Sequence, residues 1–210
     1  MRPALKSLFI RYPVLRNTEN SILQAYNMLN QAFRLKKTLF LCGNGGSAAD
    51  AEHMAGELLK GFLLPRKLNS DIKKILEEKY GDDGIQLADK LQEGFRTITL
   101  NSHPSFLTAY SNDVDYDAVF AQQIYVLGNK GDILIGFTTS GNSPNILNAF
   151  KVAAAAGITT IAMTGLTGSK AADIANCCIQ VPEKETYKIQ ELHLPIYHAL
   201  CAALEDEFYG

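Results

Sequence analysis

Four short runs, almost wholly apolar and each separated from the next by a helix-like segment, constrain this chain most. They are KKTLFLC (36–42), DILIGF (132–137), TTIAMTG (159–165) and CCIQVP (177–182). A fifth, TITL (97–100), is shorter. A strand that is apolar without alternation is covered on both faces. Strands that alternate with helices make a parallel sheet. The intervening helices are read from period-3.6 spacing. One spans 18–33, with Ile22, Leu23, Tyr26, Leu29 and Phe33 on one face. Others span 47–59, 112–128 with Val119, Ile124 and Leu127 inward, the stretch that ends at Gly157, and 186–208. The expected fold is therefore α/β. It is a three-layer, doubly wound, flavodoxin-like five-stranded parallel sheet in one domain over residues 1–210, with a long N-terminal helix. Ligands in such folds sit beyond the carboxyl ends of the strands.

The segment NSDIKKILEEKYGDDGIQLADKLQEG (69–94) breaks this rhythm. Ile72, Ile75 and Leu76, then Ile85, Leu87, Ala88 and Leu91, suggest two short amphipathic helices joined by GDDG. It reads as an insertion, a solvated cap packed on the domain, with a substrate lid or an oligomer contact as the other roles.

Composition narrows the partners. A net charge of -2 offers no basic excess for nucleic acid or an anionic membrane. No apolar run reaches the roughly 20 residues that span a bilayer. Arg11 and Pro13 interrupt the N-terminal MRPALKSLFIRYPVL where a signal peptide needs an unbroken apolar segment. The cytoplasm is the expected location. The 4 cysteines, Cys42, Cys177, Cys178 and Cys201, form no CxxC pair and read as small buried residues.

Two turns suit an anion. In GNGGS, residues 43–47 follow a strand and open a helix. The glycines let the backbone approach a ligand, Gly45 at the centre, and Asn44 and Ser47 add polar groups. Gly43-x-Gly45-x-x-Ala48 also satisfies the loose dinucleotide pattern, but the following FLLPRKLNSD offers no strand ending in an acid. The second turn, TTSGNS (138–143), has four hydroxyls in six residues: Thr138, Thr139, Ser140 and Ser143. Hydroxyls and helix N–H groups together suit a phosphomonoester.

His53 and Glu57 share a helical face at i, i+4. Gln190 and His198, eight apart on the last helix, are separated by roughly 80° and share a side, whereas His193 lies roughly 140° from His198. His193 is expected to be half-buried or at an interface. His53, Glu57, Gln190 and His198 offer donors for a divalent, zinc-like ion. A carboxylate beside a phosphosugar suits proton abstraction next to a carbonyl.

The stretches LCGNGGSAADAEHMAGEL, GFTTSGNSPNIL, TGLTGSKAADIA and KIQELHLPIYHAL resemble the sugar isomerase (SIS) domain family, and within it the phosphoheptose isomerases. The resemblance spans nearly the whole chain outside the insertion. It implies that Asn44, Gly45 and Ser47, with Thr138, Thr139, Ser140 and Ser143, hold phosphate and substrate. It implies that Asp113 and Gln190 contact the sugar. It makes Glu57 the catalytic base and His198 its partner, and His53, Glu57, Gln190 and His198 a zinc set. It implies a homotetramer with active sites at subunit interfaces. The implied reaction converts D-sedoheptulose 7-phosphate to D-glycero-D-manno-heptose 7-phosphate, for bacterial surface heptose (lipopolysaccharide) synthesis. Two features depart from the family pattern: Tyr187-Lys188 stands where Asp-Arg or Ala-Arg is common, and the insertion is unusual. The alternatives are a non-catalytic SIS protein that binds the bacterial replication initiator, and a SIS isomerase for another sugar phosphate. Glu57 and His198 weigh against the first.

Overall fold

The computed structural model describes residues 1–166 and 168–210, so Thr167 of the TGLTGSKAADIA stretch lies outside it. Five strands, β1 (Leu39–Gly43), β2 (Thr97–Thr99), β3 (Ile133–Phe137), β4 (Thr159–Thr164) and β5 (Cys177–Gln180), form one sheet. Its order is β2-β1-β3-β4-β5, and every pair is parallel. The chain leaves β1 for one edge and returns to β1's other side at β3. This reversal opens a crevice at the carboxyl ends of β1 and β3. Gly43 pairs in register with Phe137, so the two anion-type turns start side by side.

Alternation along each strand sends side chains into two cores. Leu39, Leu41, Ile133, Ile135 and Phe137 pack with the helices α1 (Pro3–Arg11), α2 (Glu19–Arg34), α3 (Gly46–Leu59) and α9 (Thr186–Tyr209). Phe40, Cys42 and Leu134 pack on the other face, with Phe120 and Ile124 of α6 (Val119–Leu127) and Ile146 and Phe150 of α7 (Pro144–Ala155). Three of the four cysteines are buried, Cys178 is partly so, and all are free, as expected.

Three elements depart from expectation. The first eleven residues, weighed only as a signal peptide, contain α1. Pro3 opens it, and Leu5, Leu8 and Phe9 recur at helical spacing and are buried. The expected single helix over 112–128 is broken. The helix α5 (Pro104–Tyr110) continues into a π turn (Ser111–Asp115) and a 3₁₀ turn (Tyr116–Ala118) before α6. The break falls at Asp115, whose backbone is extended and whose carboxylate accepts from the N–H of Asp117. A short side chain that competes for backbone N–H groups ends a helix there.

The insertion forms α4 (Ser70–Ala88), kinked at Gly81, where φ is +58°. Its two halves meet at that residue alone; Asp82, Asp83 and Gly84 belong to the second half. Asn69 caps the first half at the N–H of Asp71 (2.8 Å). A bridge between Lys67 and Gln92 closes the neck. Ala88 is buried, but Ile72, Ile75, Leu87 and Leu91 are exposed, and neither core cluster draws a residue from this segment. Between α7 and β5 lies α8 (Lys170–Ile174), capped by Ser169. Among the described residues no helix is long and apolar enough to cross a membrane.

Candidate active site

The β1–α3 turn is shaped by its glycines. Gly45 has φ +56°, a conformation L side chains rarely adopt. A Cβ on Gly43 would lie 2.2 Å from the Ser47 carbonyl oxygen, so the chain can double back this tightly only with glycine there. Ser47 is buried at the start of α3. In the β3–α7 turn, the Thr138 and Ser143 hydroxyls are 3.2 Å apart, and the Ser140 hydroxyl accepts from the N–H of Asn142 (3.1 Å). Thr138 is buried, Thr139 partly so, and Ser140 is exposed. Ser143 is the N-cap residue of α7 but does not cap it with its side chain, and Pro144 follows.

The turns are tied together. Asn44 Nδ2 donates to Asn145 Oδ1 (3.0 Å), and Asn145 Nδ2 donates to Asn44 Oδ1 (2.9 Å). The Tyr116 hydroxyl also donates to Asn44 Oδ1 (3.0 Å). Sequence reasoning found Asn44 but missed both partners. Asn145 is the amide just after SP in the second turn, a visible but unspecific signal. Tyr116 comes from the broken helix, which periodicity could not place. Asp113 is not brought in: it stays exposed, and its carboxylate accepts from Asn112 Nδ2 (2.9 Å).

Helix α9 runs alongside α3 in the same direction. Gln190 lies against Gly46, where an added Cβ would sit 2.6 Å from its Nε2. Further on, His198 Nε2 stands 3.4 Å from His53 Nε2. His53 Nε2 is in turn 3.3 Å from Glu57 Oε1, and Lys60 Nζ is 2.9 Å from Glu57 Oε2. The structure thus brings His53, Glu57 and His198 together across α3 and α9, while Gln190 lies at the first turn. Burial lowers the pKa of His198, the neighbouring His53 lowers it further, and Glu57 pulls the other way. The ring is thus biased toward the neutral imidazole, which can accept a proton. Asp50, one turn before His53, has its carboxyl pushed up to about 6 by burial, opposed by the Tyr197 hydroxyl and His53.

His193 departs from expectation. It is fully buried, with Nε2 at 3.5 Å from the Thr164 carbonyl oxygen, and burial lowers its pKa to about 4. It faces the sheet, not the cleft. Lys188 pairs with Glu185 (2.8 Å) at the start of α9, and Tyr187 is exposed.

The donor types in the cluster suit a divalent ion: two imidazoles and a carboxylate. The 3.3 Å and 3.4 Å separations around His53 Nε2 match tetrahedral donor spacing, roughly 3.3–3.5 Å for bonds of about 2.0–2.2 Å. Among the described residues no group of three or more His, Cys, Asp or Glu side chains is placed to hold a metal ion as it stands.

A five-stranded parallel sheet with paired polar turns beyond β1 and β3 is the architecture of a SIS domain, and the SIS domain model matches residues 85–165. A phosphoheptose isomerase from Burkholderia pseudomallei (strain 1710b) is 38% identical over 172 residues, 82% of this chain and 74% of that protein. Another from Sulfurimonas denitrificans is 37% identical over 207 residues, 98% of this chain and 93% of that one. The solved phosphoheptose isomerase from Neisseria gonorrhoeae superposes with a TM-score of 0.72 at 30% identity, over 92% of each chain. The chain belongs to the phosphoheptose isomerase family.

Proposed function

We propose that this protein interconverts D-sedoheptulose 7-phosphate and D-glycero-D-manno-heptose 7-phosphate. The observation that carries the reading is the placement of Glu57, His53 and His198 on α3 and α9, whose N-terminal ends border the paired turns. Thr138, Thr139, Ser140 and Ser143, with the first N–H groups of α7, hold the phosphate. Asn44, Gly45 and Ser47 bind the substrate at the first turn, and Gln190, beside Gly46, contacts the sugar.

Glu57 takes a proton from C1 of the ketose and returns it to C2, giving the aldose through an enediolate. His198, biased toward neutrality, takes the O1 proton and delivers one to O2. Lys60 holds the Oε2 oxygen of Glu57 in place. A divalent ion, zinc by donor type, would be held by His53, Glu57 and His198, and when bound would polarise the carbonyl.

The protein is further read as a cytoplasmic homotetramer supplying heptose for the bacterial surface. Exposed apolar residues on α6 (Tyr125 and Val126) and on the insertion support self-association.

Glu57→Gln keeps the side-chain shape and removes the base. It is expected to lower kcat by about 10²–10⁴-fold while leaving the circular dichroism spectrum and phosphate binding unchanged. Full activity in this variant would refute the role of Glu57. In deuterated water the aldose product carries deuterium at C2. Turnover of a different ketose phosphate, with none of sedoheptulose 7-phosphate, would redirect the substrate assignment.

A further inference from the structure

We propose that Asp50 and Tyr197 are positioning residues that fix the tautomer of His53, keeping its proton on Nδ1 so that the Nε2 lone pair faces Glu57 and His198. The inference deepens the function proposed above and rests on it for the role of His53.

Tyr197 is fully buried, with its ring edge-on to those of Phe137, His53 and His198. Its hydroxyl reaches two groups on α3: Asp50 Oδ1 at 3.4 Å and His53 Nδ1 at 2.9 Å. Asp50 and His53 are one turn apart, so helix periodicity turns both toward the same hydroxyl. The hydroxyl has a single proton to give. Among the described residues, Tyr197 is the hydrogen-bond donor to Asp50, and Asp50 Oδ2 is buried without a partner. If the tyrosine proton pointed to His53, the ionised carboxylate would have no donor at all. Desolvation without a donor is costly for a charged acceptor.

Only one assignment satisfies all three groups. Tyr197 donates to Asp50, and its oxygen accepts from Nδ1–H of His53. Nε2 is then unprotonated, at 3.3 Å from Glu57 Oε1 and 3.4 Å from His198 Nε2. Two acceptors facing each other without a proton make a place for a cation. The relay thus presents His53 as a neutral ligand through Nε2, an orienting role that outer partners serve at metal-binding histidines. It also reaches both helices at once, since Tyr197 adjoins His198 in the chain.

The test uses the full-length protein with ¹⁵N-labelled histidine, freed of metal by chelator, at mildly alkaline pH. Long-range proton–nitrogen spectra report which ring nitrogen of His53 carries the proton, with His53→Asn supplying the assignment. The wild type is expected to show Nδ1–H. Tyr197→Phe and Asp50→Ala move the proton toward Nε2. Asp50→Asn, whose amide oxygen still accepts from Tyr197, retains the wild-type pattern. Zinc titration of Tyr197→Phe is expected to show affinity weaker by about 10–100-fold.

A wild-type His53 protonated on Nε2 overturns the inference, and so does a tautomer or zinc affinity unmoved by Tyr197→Phe. Should Tyr197→Phe fail to fold, the wild-type spectrum and Asp50→Ala decide the matter. Neither readout involves turnover. A wild type with the expected tautomer but no action on sedoheptulose 7-phosphate would refute the proposed function and leave the positioning role standing.

Discussion

His193 and Asp50 carry opposite perturbations over nearly the same pH range. Burial lowers His193 from 6.5 to about 4, so below pH 6.5 the unfolded chain binds a proton the native state refuses. Stability from this residue is present above its unfolded pKa and is lost as pH falls toward 4. By the same physics burial raises Asp50 from 3.8 to about 6. The native state then binds more protons than the unfolded chain between those values, and stability from Asp50 falls as pH rises through that window. Comparing wild type with His193→Leu cancels the Asp50 contribution. The expected difference is roughly 3 kcal/mol of acid sensitivity between about pH 6.5 and 4, present in the wild type and absent in the variant. Urea denaturation at a series of pH values measures it; parallel pH profiles would contradict it. Helical spacing was enough to separate His193 from His198. It could not say that His193 is fully buried, because that depends on Phe137 and the sheet behind it.

At the scale of elements, a buried ion pair holds the end of α3 where the site needs it. Glu205 of α9 accepts from the N–H groups of Phe62 (2.7 Å), Leu63 (2.7 Å) and Leu64 (3.0 Å), and from Arg66 Nε (2.8 Å). Burial raises its carboxyl pKa, and the N–H groups of Phe62 and Leu63 together with Arg66 outweigh it, leaving the pKa below the usual value. Arg66 in turn donates to the carbonyls of Leu58 (2.7 Å) and Glu57 (3.1 Å), which have no N–H partner within the helix at the last turn of α3. Arg66→Met leaves Glu205 buried without its counter-charge, on three backbone N–H groups alone. It is expected to lower stability by about 3–5 kcal/mol, read as a fall in the urea midpoint. A loss below about 1 kcal/mol would mean that the pair is no better than a surface bridge. Nothing local marks these two residues as partners, since they lie 139 positions apart. The strands and most helices, by contrast, were legible from their periods. The exceptions were α1, weighed only as a signal peptide and rejected as one, the short α5 and α8, and the π and 3₁₀ turns, where the Asp115 side chain overrides a helical pattern.

For the molecule as a whole, the insertion is separable. Its neck is closed by the Lys67–Gln92 bridge, by the Gly61 N–H donating to Gln92 Oε1 (2.7 Å) and by the Glu93 N–H donating to the Arg66 carbonyl (3.0 Å). Its helices contribute to neither core. Replacing residues 70–90 with a short Gly-Ser link is therefore expected to leave the thermal midpoint within a few degrees of wild type. A collapse of the midpoint would show that the segment supports the fold. Light scattering on the same variant tests whether Ile72, Ile75, Leu87 and Leu91 meet a second copy: a smaller assembly than the wild type's places them in the interface.

The sequence alone determined the layers, the parallel sheet, the two polar turns and the shared face of His53 and Glu57. All of these follow from spacing within one segment, where backbone periodicity dictates direction. Only the tertiary structure decided what meets across segments: Asn44 with Asn145, Tyr116 with the first turn, Gln190 over Gly46, and Tyr197 between Asp50 and His53. Such meetings depend on how α9 lies against α3 and on the strand order that sets Gly43 beside Phe137. Those choices are made by the packing of both cores together, which no single stretch of the chain contains.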